Sequence, residues 1–177
     1  MTNDGPLFLV GFMATGKTTV GRIVAERLGW TFRDLDEAIV AAAAGQHASV
    51  AAIFAAEGEA GFRRRETEAV REAVGLRRTV IATGGGAACR EPNLSLMLNG
   101  GRVVALAATP EEVLRRTGGA ASGRPLLDGR ADPLAAAAEL LAAREPFYAR
   151  AHQRIDTVGK TAGAVADEVI AVLGPGE

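Results

Sequence analysis

A short apolar run, Leu7-Phe8-Leu9-Val10, leads straight into Gly11-Phe12-Met13-Ala14-Thr15-Gly16-Lys17-Thr18. These eight residues fit G-x-x-x-x-G-K-[ST], a loop that wraps phosphate groups, and they stand after a strand and before a helix, where that chemistry needs them. Gly11 and Gly16 let the backbone curl with its N–H groups pointing inward, which a Cβ would obstruct. A helix starting near Lys17 adds about half a positive charge at its N-terminus. Lys17 is suited to β- and γ-phosphates and Thr18 to Mg²⁺. Lys17 and Lys160 are the only lysines in a chain whose other cations are arginines. Nucleotide phosphate binding is therefore expected.

The rest of the chain continues the alternation. Apolar runs at 7–10, 79–82 and 102–107, with weaker ones at 31–33 and 153–156, read as strands. Between them, Val20, Ile23, Val24 and Leu28 recur at helical spacing over 17–28, and Gly29 supplies a stop. Thr109-Pro110-Glu111-Glu112 and Asp132-Pro133 are cap-and-proline starts for two later helices, the second running to about Arg150. Alternating βα units imply an α/β fold, a parallel sheet with helices on both faces. No internal repeat or linker is apparent, so residues 1–177 are expected to form one domain. Thr117 to Ala131, rich in Gly, Ser, Pro and Asp and carrying Arg124 and Arg130, is non-periodic and reads as a lid.

Composition excludes several function classes. The chain has 177 residues, is 48% hydrophobic and carries a formal charge of −1, with no long-range pull toward nucleic acid or anionic membrane. No apolar stretch approaches the ~20 residues of a membrane span, and the polar opening Met1 to Pro6 argues against a signal peptide. Cys89 is the single cysteine, so no internal disulfide forms and a cytoplasmic location is expected. His47 and His152 are isolated from each other and from Cys89, so no structural zinc site is expected.

Four clusters bear on the acceptor. Asp34-Leu35-Asp36 follows the second strand, at the carboxyl edge where α/β sheets bind ligands. One aspartate there could hold Mg²⁺ through water while the other accepts a hydroxyl proton; a helix N-cap with a first-turn acid satisfies the same residues. In Phe62-Arg63-Arg64-Arg65-Glu66, helical spacing lets Glu66 orient Arg63 toward an anion, with Arg64 and Arg65 solvated; a surface charge run is the alternative. Gly84-Gly85-Gly86, after the strand 79–82, offers bare backbone to a ligand. Arg144-Glu145-Pro146-Phe147-Tyr148 alone reads as a kinked helix surface.

In combination these elements resemble the shikimate kinases over nearly the whole chain. The matching motifs, in order, are Gly11–Thr18, Asp34-x-Asp36, Gly58-Glu59-x-x-Phe62-Arg63-x-x-Glu66, Gly84-Gly85-Gly86, Arg116-Thr117-Gly118-Gly119, Arg124-Pro125-Leu126-Leu127 and Arg144-x-Pro146-x-Tyr148. The resemblance implies a three-layer P-loop kinase fold with a five-stranded parallel sheet and a mobile lid. It also implies ATP-dependent phosphorylation of the 3-hydroxyl of shikimate by an enzyme expected to act as a monomer. Carried over by position, Asp36 is the base, Asp34 supports Mg²⁺ through water and Thr18 is a direct ligand. Gly11, Ala14, Thr15, Gly16, Lys17, Thr18 and Thr19 hold ATP. Arg63 and Arg144 grip the substrate carboxylate, and Gly84, Gly85 and Gly86 present backbone N–H groups. Arg124 swings in with the lid, and Arg116 packs on adenine; the region 34–66 forms the acceptor side.

Two departures stand out. Ala14 replaces a frequent glycine, for which a local adjustment is expected, and Val158-Gly159-Lys160-Thr161-Ala162 lacks the proline often found in the adenine turn. The competing readings are a gluconate-kinase-like enzyme, disfavoured by Arg63, Arg144 and the triple glycine, and a non-catalytic nucleotide-binding module, disfavoured by intact Lys17, Asp36 and Arg124. Nucleic-acid binding is disfavoured by the near-neutral charge and few aromatics.

Overall fold

The computed structural model describes residues 4–43, 45–118 and 131–174. Five strands, β1 (Leu7–Gly11), β2 (Thr31–Asp34), β3 (Thr79–Ala82), β4 (Arg102–Ala107) and β5 (Gln153–Asp156), form one sheet in the order β2-β3-β1-β4-β5. Every pairing in it is parallel. The helices are α1 (Lys17–Leu28), α2 (Leu35–Ala42), α3 (Val50–Val74), α4 (Glu91–Gly100), α5 (Pro110–Arg116), α6 (Pro133–Tyr148) and α7 (Ala162–Val172).

The two-residue period of a strand sorts the core into two halves. Leu7 and Leu9 of β1 pack with Val20 and Val24 of α1 and Val165 and Val169 of α7. Phe8 and Val10 turn to the other face and meet Val70 of α3, Leu94 and Met97 of α4, Val113 of α5 and Ala137 of α6. The expected three layers are present. β1 is buried along its whole length, as a central parallel strand should be. Each large side chain buried this way contributes ~1.5–3 kcal/mol, so the root of the phosphate loop is among the best-anchored backbone in the molecule.

A smaller third cluster, Ile39, Ala43, Ile53 and Phe62, lies between α2 and α3. Phe54 stacks on Phe62 with ring centroids 4.4 Å apart, a spacing that adds to simple burial.

Expected and observed boundaries agree at 17–28, 79–82, 102–107 and 153–156. The helical spacing read at Arg63 and Glu66 belongs to the second half of the longer α3, which is broken at Gly58 (φ 69°, ψ −179°). That conformation belongs almost exclusively to glycine, so the break is written in the residue type. One expectation needs correction: Arg65 is not solvated. Its Nε and Nη2 donate to Glu57 at distances down to 2.6 Å, and His47 Nε2 lies 3.2 Å from the same carboxylate.

Among the described residues no helix is long and apolar enough to cross a membrane. Residues 119–130, and with them Arg124, lie outside the described residues, so the expected lid is described only at its two ends.

Candidate active site

The parallel topology brings the ends of β1, β3 and β2 side by side. From β1 the chain enters the phosphate loop. Gly11 has φ 139°, and a Cβ there would lie 2.3 Å from the Leu106 carbonyl oxygen. Thr15 is buried and its hydroxyl donates to Phe12 O at 2.9 Å, locking the loop from inside. Ala14 takes φ 56°, a left-handed bend that costs a non-glycine residue about 1–2 kcal/mol. This is the local adjustment expected where the family often has glycine.

Five helices, α2, α3, α5, α6 and α7, are capped by the side chains of Asp34, Ser49, Thr109, Asp132 and Thr161. α1 instead begins at Gly16, left-handed at φ 92°, with no side-chain cap. Its first-turn N–H groups are thus left for an anion, which a helix N-terminus attracts. Lys17 Nζ donates to Gly11 O at 2.9 Å and Phe12 O at 2.7 Å, holding the ammonium over the loop.

Thr18 Oγ1 donates to Asp34 Oδ2 at 3.1 Å. The other oxygen of Asp34 accepts from Asp36 N and Glu37 N, at 3.0 and 3.4 Å. The N-cap reading of this aspartate is observed, and its second oxygen meets the Thr18 hydroxyl at the start of α1. Among the described residues no group of three His, Cys, Asp or Glu could hold a metal by itself. A hydroxyl beside a single carboxylate suits a cation that keeps most of its water, as Mg²⁺ does.

The triple glycine is a hub for side chains from three helices. A Cβ built on Gly84 would stand 2.9 Å from Asp36 Oδ1. On Gly85 it would lie 3.4 Å from Arg144 Nη1, and on Gly86 3.3 Å from Arg63 Nη1 and 3.8 Å from Arg144 Nη2. Three side chains from α2, α3 and α6 thus converge on three consecutive glycines. Arg144 also donates to Gly85 O at 3.2 Å, and the Tyr148 hydroxyl donates to the same oxygen at 2.6 Å. Burial holds that phenol protonated well above its usual range.

Arg63 donates through Nη1 to both oxygens of Glu66 at 3.1 Å, as the spacing predicts. Each of the two guanidiniums also sits 5.5 Å from an aromatic centroid, Arg63 at Phe62 and Arg144 at Phe12, within cation–π range. Burial pushes the Asp36 carboxyl above its ordinary value and Asp34 adds to this, while Lys17 and Arg63 pull it back. Burial likewise raises Glu66, with Arg63 opposing.

Two clefts adjoin these loops. One of about 1040 Å³ is lined by Arg63, Gly86, Cys89, Arg90 and Arg144. The other, of about 410 Å³, lies between the phosphate loop and the turn after β5, beside Arg116, Thr157 and Thr161. A third cleft of about 380 Å³, by Trp30 and Arg102, holds none of the motif residues. Arg116 joins separate segments, donating to Ala14 O at 3.1 Å, to Thr157 Oγ1 and O at 2.9 Å, and to Glu112 at 2.7 Å. The Glu112 carboxyl is lowered to about 2, chiefly by its hydrogen bond to Arg115.

The shikimate kinase family model matches residues 13–174, a span that includes every one of these convergent side chains. The chain belongs to the shikimate kinase family. A shikimate kinase of Moorella thermoacetica is 49% identical over 165 residues, covering 93% of this chain and 92% of its own length. The structure of a shikimate kinase from Acinetobacter baumannii in complex with shikimate is similar at a TM-score of 0.86 and 38% identity, over 96% of this chain and 92% of that one. A gluconokinase from Sinorhizobium meliloti, at a TM-score of 0.60 and 17% identity over 98% and 93% of the two chains, shares the fold alone.

Several residues that shape this shikimate kinase site carry no signal in the sequence alone. Phe12 was a variable position of the loop, and Tyr148 entered only as a motif letter. Thr157 follows a weak strand. Asn93, fully buried behind Glu66, lies in an ordinary-looking helix start.

Proposed function

We propose that this enzyme transfers the γ-phosphoryl group of ATP to the 3-hydroxyl of shikimate. The observation that supports this most directly is the convergence of Asp36, Arg144 and Arg63 on Gly84, Gly85 and Gly86, on the sheet edge that also carries Lys17 and Thr18. Two guanidiniums facing one bare backbone turn form a clamp for a small carboxylate and favour an acid over a neutral polyol. Asp36, at the far end of the same turn, is placed to accept a hydroxyl proton.

ATP enters as co-substrate, its phosphates against the α1 N-terminus and Lys17 and its base in the cleft beside Arg116 and Thr157. Thr18, directly, and Asp34, through water, would hold Mg²⁺. When bound, that ion neutralises phosphate charge. Phosphoryl transfer passes through a loose transition state, so positioning and charge dominate over covalent chemistry. In this chain Lys17 supplies charge, Arg63 and Arg144 orient the acid, and Asp36 takes the proton; Arg124 is proposed to add charge at the transferring group.

The direct test is ADP release by purified protein with Mg²⁺ and ATP, comparing shikimate, gluconate and no acceptor. Turnover should require shikimate; turnover with gluconate alone would overturn the assignment. Arg144→Ala should then raise the KM for shikimate about tenfold or more, the scale of a lost charged hydrogen bond, and an unchanged KM would remove it from the clamp.

A further inference from the structure

Asn93 lies in the first turn of α4 with a side chain that is 0% exposed. Its Nδ2 donates to Glu66 Oε2 at 3.4 Å and to Ala87 O at 3.1 Å, while Oδ1 accepts from Thr67 Oγ1 at 2.8 Å. The amide orientation is forced. A carboxylate oxygen and a carbonyl oxygen both require a donor, so the NH₂ must face them and the oxygen must face the hydroxyl.

Glu66 is only 2% exposed, and its Oε2 is held between Arg63 on one side and Asn93 on the other. Ala87 opens a short 3₁₀ turn immediately after the triple glycine. One buried amide therefore joins the helix that carries Arg63 to the turn that carries Gly84–Gly86. A buried polar group in such a place costs stability unless every hydrogen bond is made, and here each is made to an element of the acceptor site.

We propose that Asn93 is a positioning residue for substrate recognition: it holds Glu66, and through it the Arg63 guanidinium, in register with the glycine turn, so that the carboxylate clamp is set before the acid arrives. This rests on the carboxylate-clamp reading above. Asn93 does not touch substrate, so its effect must pass through the substrate's charge. Without Nδ2, Glu66 keeps Arg63 as partner but loses its second anchor, and the pair is free to shift away from Gly86.

The test compares wild type and Asn93→Ala on shikimate and on its neutral carboxamide. For wild type, kcat/KM should fall sharply from acid to amide. In the variant, kcat/KM for shikimate should fall about tenfold, the scale for a hydrogen bond to a charged group. Most of this should appear in KM, while the value for the carboxamide stays within about twofold of wild type and the KM for ATP is unchanged. Thr67→Val, which removes the hydroxyl that Asn93 Oδ1 and Arg63 O share, should show the same selective pattern at smaller size. Thr67→Ser, which keeps the hydroxyl, should stay near wild type on both substrates. Equal losses on acid and amide in Asn93→Ala or Thr67→Val, or no loss on the acid, would overturn the role of Asn93. If wild type itself fails to distinguish acid from amide, the clamp reading falls and this proposal with it.

Discussion

Thr18, in the first turn of α1, and Asp34, at the end of β2, meet at 3.1 Å, hydroxyl to carboxylate, although β3 separates β2 from β1 in the sheet. Because Asp34 spends its other oxygen on capping α2, two roles rest on one side chain, and they separate by substitution. Asparagine caps as well as aspartate, whereas alanine loses the cap at a cost of ~1 kcal/mol. Asp34→Asn and Asp34→Ala should both raise the Mg²⁺ concentration needed for half-maximal turnover several-fold. Only Asp34→Ala should lower the melting temperature clearly. Mg²⁺ titration of turnover alongside thermal unfolding checks both, and an unaltered Mg²⁺ requirement would remove Asp34 from the metal site.

Gly84 is held to glycine by Asp36 rather than by its own backbone, since it is absent from the positive-φ glycines. Its Cβ would lie 2.9 Å from Oδ1 and 3.3 Å from Oδ2 of Asp36, so the carboxylate must move. Gly84→Ala should keep near-native stability and a near-normal KM for ATP while kcat falls by about ten- to a hundredfold, as misplaced reacting groups do. A kcat equal to wild type would count against Asp36 as the base.

Asp36→Asn tests the same residue through its proton. With the folded pKa raised above the unfolded value, the fold favours the protonated acid. That contribution is fully present below the unfolded pKa, near ~4, and is lost as pH rises through the raised one. At neutral pH the ionised Asp36 is therefore a net cost to the native state. Asp36→Asn should melt higher than wild type at pH 7, with the gap narrowing on acidification, while shikimate-dependent turnover is mostly lost and ATP binding is retained. A variant that melts lower at pH 7 would contradict the electrostatic account. In wild type, the acid limb of kcat/KM should lie above the ordinary carboxylate range.

β1, β3, β4 and α1 were legible because each is a short apolar run or a clear three- and four-residue period, whereas β2 and β5 were fainter, with Phe32 and Ile155 their one large apolar side chain each. The Arg63–Glu66 pair was legible because a helix places residues three apart side by side. The Arg65–Glu57 pair was not. Eight residues on a straight helix span ~12 Å, and only the break at Gly58 brings the two together. Asn93 and Tyr148 were hidden for a related reason, since their partners Glu66, Ala87 and Gly85 lie across tertiary contacts that no local period encodes.

The small cluster of Ile39, Ala43, Ile53 and Phe62 divides the molecule's resistance to opening into two unequal parts. Ile39 of α2 and Ala43 just beyond its end pack on Ile53 and Phe62 of α3, whereas β1 and its loop are backed by both large clusters. Local unfolding follows the amount of apolar packing behind each segment. Amides of α2 and the first half of α3 should therefore exchange with solvent through excursions that leave β1 closed. That wall should open on its own while the phosphate loop, and the Arg63–Glu66 pair in the second half of α3, keep their shape.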